Sequence, residues 1–202
     1  MTTLAEARTA VRRWLEDTAA TPLWSDADLD AALATALARY SGWAPNETQT
    51  SVVLAAGAQA LTVAGLEEGA AVRVVRDPAG RVVPRQGNAR DGESDAPTQA
   101  WRWWAGTIRL AWPATAGTWV VDWVAPRLLP AAAGGTMPVL AGDDAAVALL
   151  AAAAALRRRA AEEAKRNGPG GEALLALASA WEADAGRLVR GGRRRVRGWV
   201  AG

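Results

Sequence analysis

The chain has 202 residues, eleven tryptophans and a formal net charge of +2, with no cysteine, histidine or phenylalanine. That length buries a real core in one domain, or in one domain carrying an insertion. Disulfides and thiolate metal sites are excluded, and the commonest metal ligand and general base are missing, which leaves carboxylates, arginines, Lys165, Tyr40 and hydroxyls for chemistry.

In chain order, Thr3 and Glu6 have the spacing at which two side chains reciprocally satisfy free amides at a helix start. Leu4, Ala7, Val11, Trp14 and Leu15 follow at helical spacing. An amphipathic helix carrying acids is not a secretory signal. Ser25 caps a second predicted helix, with Asp26, Asp28 and Asp30 where the helix dipole favours carboxylates, and Leu29, Leu33, Leu37 and Tyr40 as its buried stripe. Ser41-Gly42 and Pro45 end it.

From Thr50 the period changes to two. Strands are predicted over 51–55, 59–63, 71–76, 81–85, 99–104, 107–112 and 118–125, with Asp77-Pro78-Ala79-Gly80 turning one hairpin. The polar stretch 87–97 reads as a loop tip. Pro126 to Gly142 leads back to helix, first an alanine-rich one from Asp143 or Asp144 to about Arg166, then one from Glu172 to about Arg190. The stripe of that last helix is read as Leu174, Leu177, Trp181, Ala185 and Leu188. The fold class is therefore α+β, with a four-helix, bundle-like core of two N-terminal and two C-terminal helices interrupted by a β-rich insertion forming a small sandwich or barrel. Residues 1–48 and 127–190 form the helical domain, 49–126 the insertion and 191–202 a flexible basic arm. One stripe per helix predicts that Leu33, Leu37, Leu174, Leu177 and Trp181 are buried together.

Six tryptophans lie between Trp101 and Trp123, and alternation puts most of them on inward strand faces, the core of a chain without phenylalanine. Trp104 breaks the alternation and is the exposed candidate, for a contact with a tail protein or a neighbouring subunit. Asp26-x-Asp28-x-Asp30 opens like a calcium loop, but Ala31 and Leu37 stand where that loop needs glycine and glutamate, so no metal site is expected. The adjacent pairs Asp143-Asp144, Glu67-Glu68 and Glu162-Glu163 read as solvated acids, and Arg157-Arg158-Arg159 as i,i+4 partners of Glu162 and Glu163. Arg187, Arg190, Arg193, Arg194, Arg195 and Arg197 fall in the last sixteen residues with no acid among them, leaving the rest of the chain net acidic. Such an arm seeks an acidic partner, with Trp199 as an apolar anchor. No phosphate loop, nucleophile motif or metal spacing is present, so no enzyme, catalytic residue or cofactor is expected.

The run Arg12-Arg13-Trp14-Leu15-Glu16-Asp17, then Trp24-Ser25-Asp26-Ala27-Asp28-Leu29, resembles the start of the head-tail connector, or adaptor, proteins of tailed bacteriophages. A weaker likeness comes from the helix at Asp143-Asp144 and the C-terminal helical pair. The resemblance implies a virion protein of the neck, present in the host cytoplasm during assembly. It further implies a ring of identical subunits, usually dodecameric, docked on the portal protein, meeting tail or further neck proteins, and passing DNA without sequence-specific contact or any membrane. In the family the C-terminal segment grips the portal, which assigns portal docking to Arg187, Arg190, Arg193, Arg194, Arg195, Arg197 and Trp199. Two alternatives stand beside it: a carbohydrate-binding module using the tryptophan-rich segment, and a DNA-binding regulator using the basic tail.

Overall fold

The computed structural model describes residues 2–66, 71–86, 99–166 and 170–197, with side chains through residue 191. The expected loop tip at 87–97, the pair Glu67-Glu68, the break at 167–169 and Trp199 lie outside or almost wholly outside these residues. The described residues form a mixed α+β structure with four helices and two antiparallel sheets. It divides into two compact units, one of residues 1–44 and 127–202, the other of residues 45–126.

In the first unit, α1 (Leu4–Trp14) and α2 (Asp26–Trp43) both begin with reciprocal caps, Thr3 with Glu6 and Ser25 with Asp28. Each cap contributes about 1 kcal/mol. The hydrogen bonds from Ser25 also hold the Asp28 carboxyl below its ordinary range. The two helices are tied by arginines whose partners the sequence did not reveal. Arg8 makes a two-pronged contact with Asp30 at 2.7 Å, and Arg12 bridges Asp17 at 3.0 Å and Asp26 at 2.8 Å. Asp17 is buried and also accepts the amides of Leu23 and Trp24, which fixes the tight connection between the helices.

The centre of this unit is α3 (Asp144–Lys165), which packs against α1, α2 and α4 (Gly171–Arg197). Residues 146–153 of α3 are all buried, five of them alanine. Small side chains let helices approach on several sides, because interaxial distance follows side-chain size at the contact. The acids at its start are not simply solvated: Asp143 accepts a 2.6 Å hydrogen bond from the buried Tyr40 hydroxyl, which in turn accepts the Leu140 amide.

Two readings of α4 need correction. Its inward line runs through Ala178, Ala185 and Val189 with Leu174 and Trp181 half-buried, so Leu177 and Leu188 point to solvent; neither Leu177 nor Leu174 joins Leu33 and Leu37, Leu174 packing instead with Leu156 and Ala178. Steps of four and three residues fit the 3.6-residue turn equally well, and contact with α3 selected the alternative set. The helix also continues through Gly191 and Gly192 to Arg197, where a flexible arm was expected from residue 191. Arginine is a good helix former, and cations at a helix C-terminus are favoured by its dipole, offsetting the roughly 1 kcal/mol cost of each glycine.

In the second unit, β1 (Asn46–Leu54), β7 (Gly117–Ala125), β3 (Ala71–Arg76) and β4 (Val82–Val83) form one sheet in that order. The other is β2 (Ala60–Leu61), β6 (Thr107–Leu110) and β5 (Trp101–Trp104). β1 pairs with β7 from Asn46↔Ala125 to Leu54↔Gly117, so the strand starts earlier than its apolar pattern indicated. Asp77 accepts the amides of Ala79 and Arg81 and turns the β3–β4 hairpin. Both sheets contribute to one core, with Trp119, Val121 and Trp123 from the first and Trp101, Ile108 and Leu110 from the second. The indole N–H groups of Trp101, Trp119 and Trp123 donate to Val83 O, Thr115 O and Thr50 Oγ1, so burying them leaves no donor unsatisfied.

Two outcomes follow from the first unit. Ala152 is fully buried, so Ala152→Leu should destabilise the protein by roughly 1–3 kcal/mol through overpacking, whereas Ala161→Leu on the exposed side should be nearly neutral in urea unfolding. The Tyr40 hydroxyl is pushed up to about 12, chiefly by burial and then by its bond to Asp143. Unfolded tyrosine ionises near its ordinary value of 10.0, so the contribution of neutral Tyr40 is intact below that pH and lost as pH rises toward about 12. Unfolding midpoints across this window should fall in the parent protein, and Tyr40→Phe should flatten that fall while costing about 1–2 kcal/mol at neutral pH.

Candidate functional site

Among the described residues, surfaces suited to recognition occur in both units, and each is built differently. The first is the basic end of α4. Arg187 and Arg190 are exposed, and Arg187 pairs with Asp184, so this arginine is not without an acid as the run alone implied. Residues 193–195 and 197 lie on the helical backbone. At 3.6 residues per turn, positions 187, 190, 193, 194 and 197 fall within about a third of the helix circumference, with 195 apart. Helical continuation thus gathers the basic positions onto one side, an arrangement that a flexible arm would not have. Trp199 lies outside the described residues.

The second surface is a groove of about 500 Å³ lined by α1 and α3, with Ala10, Trp14, Met137, Val139 and Val147 among its walls. Trp14 is exposed, and its ring is tilted by 59° against that of Trp181 at 5.9 Å between centroids. A smaller hollow of about 250 Å³ between α2, α3 and α4 holds Arg39, Arg157, Arg158, Asp28 and Glu182, already paired with one another. Arg157 grips Glu182 through two nitrogens, and that hydrogen bonding raises its pKa. The i,i+4 pairs read from the sequence, Arg158–Glu162 and Arg159–Glu163, are present beside these helix-to-helix contacts.

The third surface belongs to the second unit. Trp104 is 62% exposed on the outer face of the three-stranded sheet. Arg102 lies on the same face, its guanidinium 5.7 Å from the Trp104 ring centre, and Arg109 stands directly opposite Arg102 across β5 and β6. With Gln59 and Gln86 they line a cavity of about 500 Å³. The backbone beneath it is fixed: Leu110 N donates to Gln59 O at 3.0 Å and Gln86 N to Trp101 O at 2.7 Å. The sequence singled out Trp104 by its break in alternation but missed the arginine pair, which becomes visible only once the register of the hairpin is known. That hairpin turns through Ala105 and Gly106, both at positive φ, as a two-residue turn of the type matching strand twist.

Among the described residues, no group of three or more carboxylates is arranged to hold a metal ion. No helix among them is long and apolar enough to cross a membrane. No known family model matches the chain, and no curated protein matches it in sequence.

Proposed function

We propose that this chain is a structural virion protein, an adaptor subunit that forms a ring, dodecameric as in the family it resembles, between the portal of a tailed bacteriophage head and its tail. In this reading the helices of residues 1–48 and 127–190 act as one bundle-like core, and residues 49–126 are a β-rich insertion. The protein resides in the virion neck, after assembly in the host cytoplasm, and the ring leaves a channel for DNA without sequence-specific contact. No catalysis, cofactor or membrane is part of the role.

The observation that carries the reading is the α4 end. Arg187 and Arg190 are exposed on a helix whose other side packs against α3, and the helix runs on through the remaining arginines. A helical backbone carrying its basic positions along one side suits repeated docking to an acidic portal surface. Single exposed ion pairs contribute only about 0–1 kcal/mol, so affinity comes from repetition around a ring and from an apolar anchor, for which Trp199 is the residue. The motif of α1 and α2 supports the same reading, because Arg12, Asp17 and Asp26 within it form the contacts that tie the helices and their connection together. A DNA-binding regulator has only the basic residues in its favour. A carbohydrate-binding module has a specific observation, the exposed Trp104 beside polar side chains in a concave site.

Truncation after Arg190 is expected to leave a folded protein that no longer joins portal-bearing heads, with docking of the parent weakened by salt. Electron microscopy of labelled particles should find the parent protein at the neck. Undiminished docking and infectivity with the truncated chain would move the docking surface elsewhere, and absence of the protein from virions would remove the adaptor reading.

A further inference from the structure

We infer that the cavity beside Trp104 binds a carboxylate-bearing saccharide, its acid group held between Arg102 and Arg109 and a sugar face laid on the indole. This gives the carbohydrate reading its ligand class and does not depend on the adaptor assignment.

Among the described residues, two like charges face each other at one point of the sheet with no carboxylate between them. Arg102 and Arg109 are register partners on adjacent strands and share one sheet face. Like charges set directly opposite in a sheet destabilise it. Of the six described arginines of the second unit, Arg76 pairs with Asp122 and Arg81 with Asp77, and Arg85 lies over the Trp101 ring. Among the described residues neither Arg102 nor Arg109 has a carboxylate partner. A single anion between them converts repulsion into two charge-assisted interactions, and the planar guanidinium is suited to a carboxylate.

The remaining walls identify what the anion is attached to. Gln59 and Gln86 present carboxamides, which both donate and accept, matching hydroxyl groups that do the same. Trp104 supplies a flat apolar face at the edge of a polar cavity, and Arg102 near its ring helps to hold that face in place. A volume of about 500 Å³ is of the size that holds a small ligand. Two features argue against a nucleic-acid strand. The arginines converge on one register position and do not track a line of phosphates, and Trp104 is the exposed aromatic side chain of this unit among the described residues, whereas strand binding uses successive stacking platforms.

Isothermal titration calorimetry on the full chain decides it, using a galacturonic acid trimer, the corresponding galactose trimer, a glutamate hexamer and a thymidylate hexamer. The uronate should bind about tenfold or more tightly than each of the other three. Arg102→Ser, Arg109→Ser and Trp104→Ala should each weaken it by about tenfold or more. All three positions are exposed, and the two serine variants should melt no lower than the parent because each relieves the facing charges. Equal binding of the galactose trimer would overturn the acid-specific site while leaving a carbohydrate site. Equal binding of the glutamate or thymidylate hexamer would replace it with a general anion surface. Heat from none of the four, or unchanged affinity in Trp104→Ala, would overturn both the site and the carbohydrate reading behind it.

Discussion

The first unit depends on one buried cation. Arg127, the residue at which the chain returns to the helical unit, donates from Nε and Nη2 to the carbonyl of Ala44, the residue at which it left, at 3.2 and 3.0 Å. Nη1 donates to Pro138 O, and the guanidinium lies 5.0 Å from the centre of the Tyr40 ring. A charged group taken from water is tolerated only when its donors are satisfied, and here backbone carbonyls and an aromatic face do it. The C-terminus of α2 is a suitable place for a cation, because its last carbonyls carry the negative end of the helix dipole. Through Tyr40 and Asp143 the same cluster reaches the start of α3, the helix on which the others pack.

Most secondary structure was legible because it is governed by local chemistry. Thr3, Glu6 and Ser25 announced the helix starts, Asp77 and Gly80 announced a hairpin, and the alternating tryptophans of β7 announced which side faces inward. What the sequence could not supply was set by partners distant in the chain. Arg127 looks like any arginine after a proline, and its role requires Ala44, eighty-three positions earlier. The choice between Leu177 and Ala178 for the buried line of α4 depends on which side meets α3. The arginine pair of the Trp104 cavity depends on strand register, which a one-residue shift would have dissolved.

The two candidate surfaces differ in how charge is handled, and that difference separates their chemistry. On the helical unit, Arg8, Arg12, Arg39, Arg157, Arg158 and Arg159 are joined to carboxylates, so their charge serves internal alignment. Basic positions beyond Val189 lie at the end of a helix, where the dipole supports cations. The Trp104 cavity concentrates its charge at a single point framed by amides and an indole. Basic positions spread along a helix suit a large acidic partner, and a framed point charge suits a small one.

Hydrogen exchange measures the role of Arg127 directly. Replacing it by methionine keeps the bulk but leaves Ala44 O and Pro138 O without their donors, which should cost about 2–4 kcal/mol. Protection should fall first in the last turn of α2 and the first turn of α3, while the amides paired between β1 and β7 keep theirs. Unchanged protection at 40–44 and 143–148 in Arg127→Met, or a loss confined to the β-rich unit, would contradict the claim that this cation holds the helical unit together.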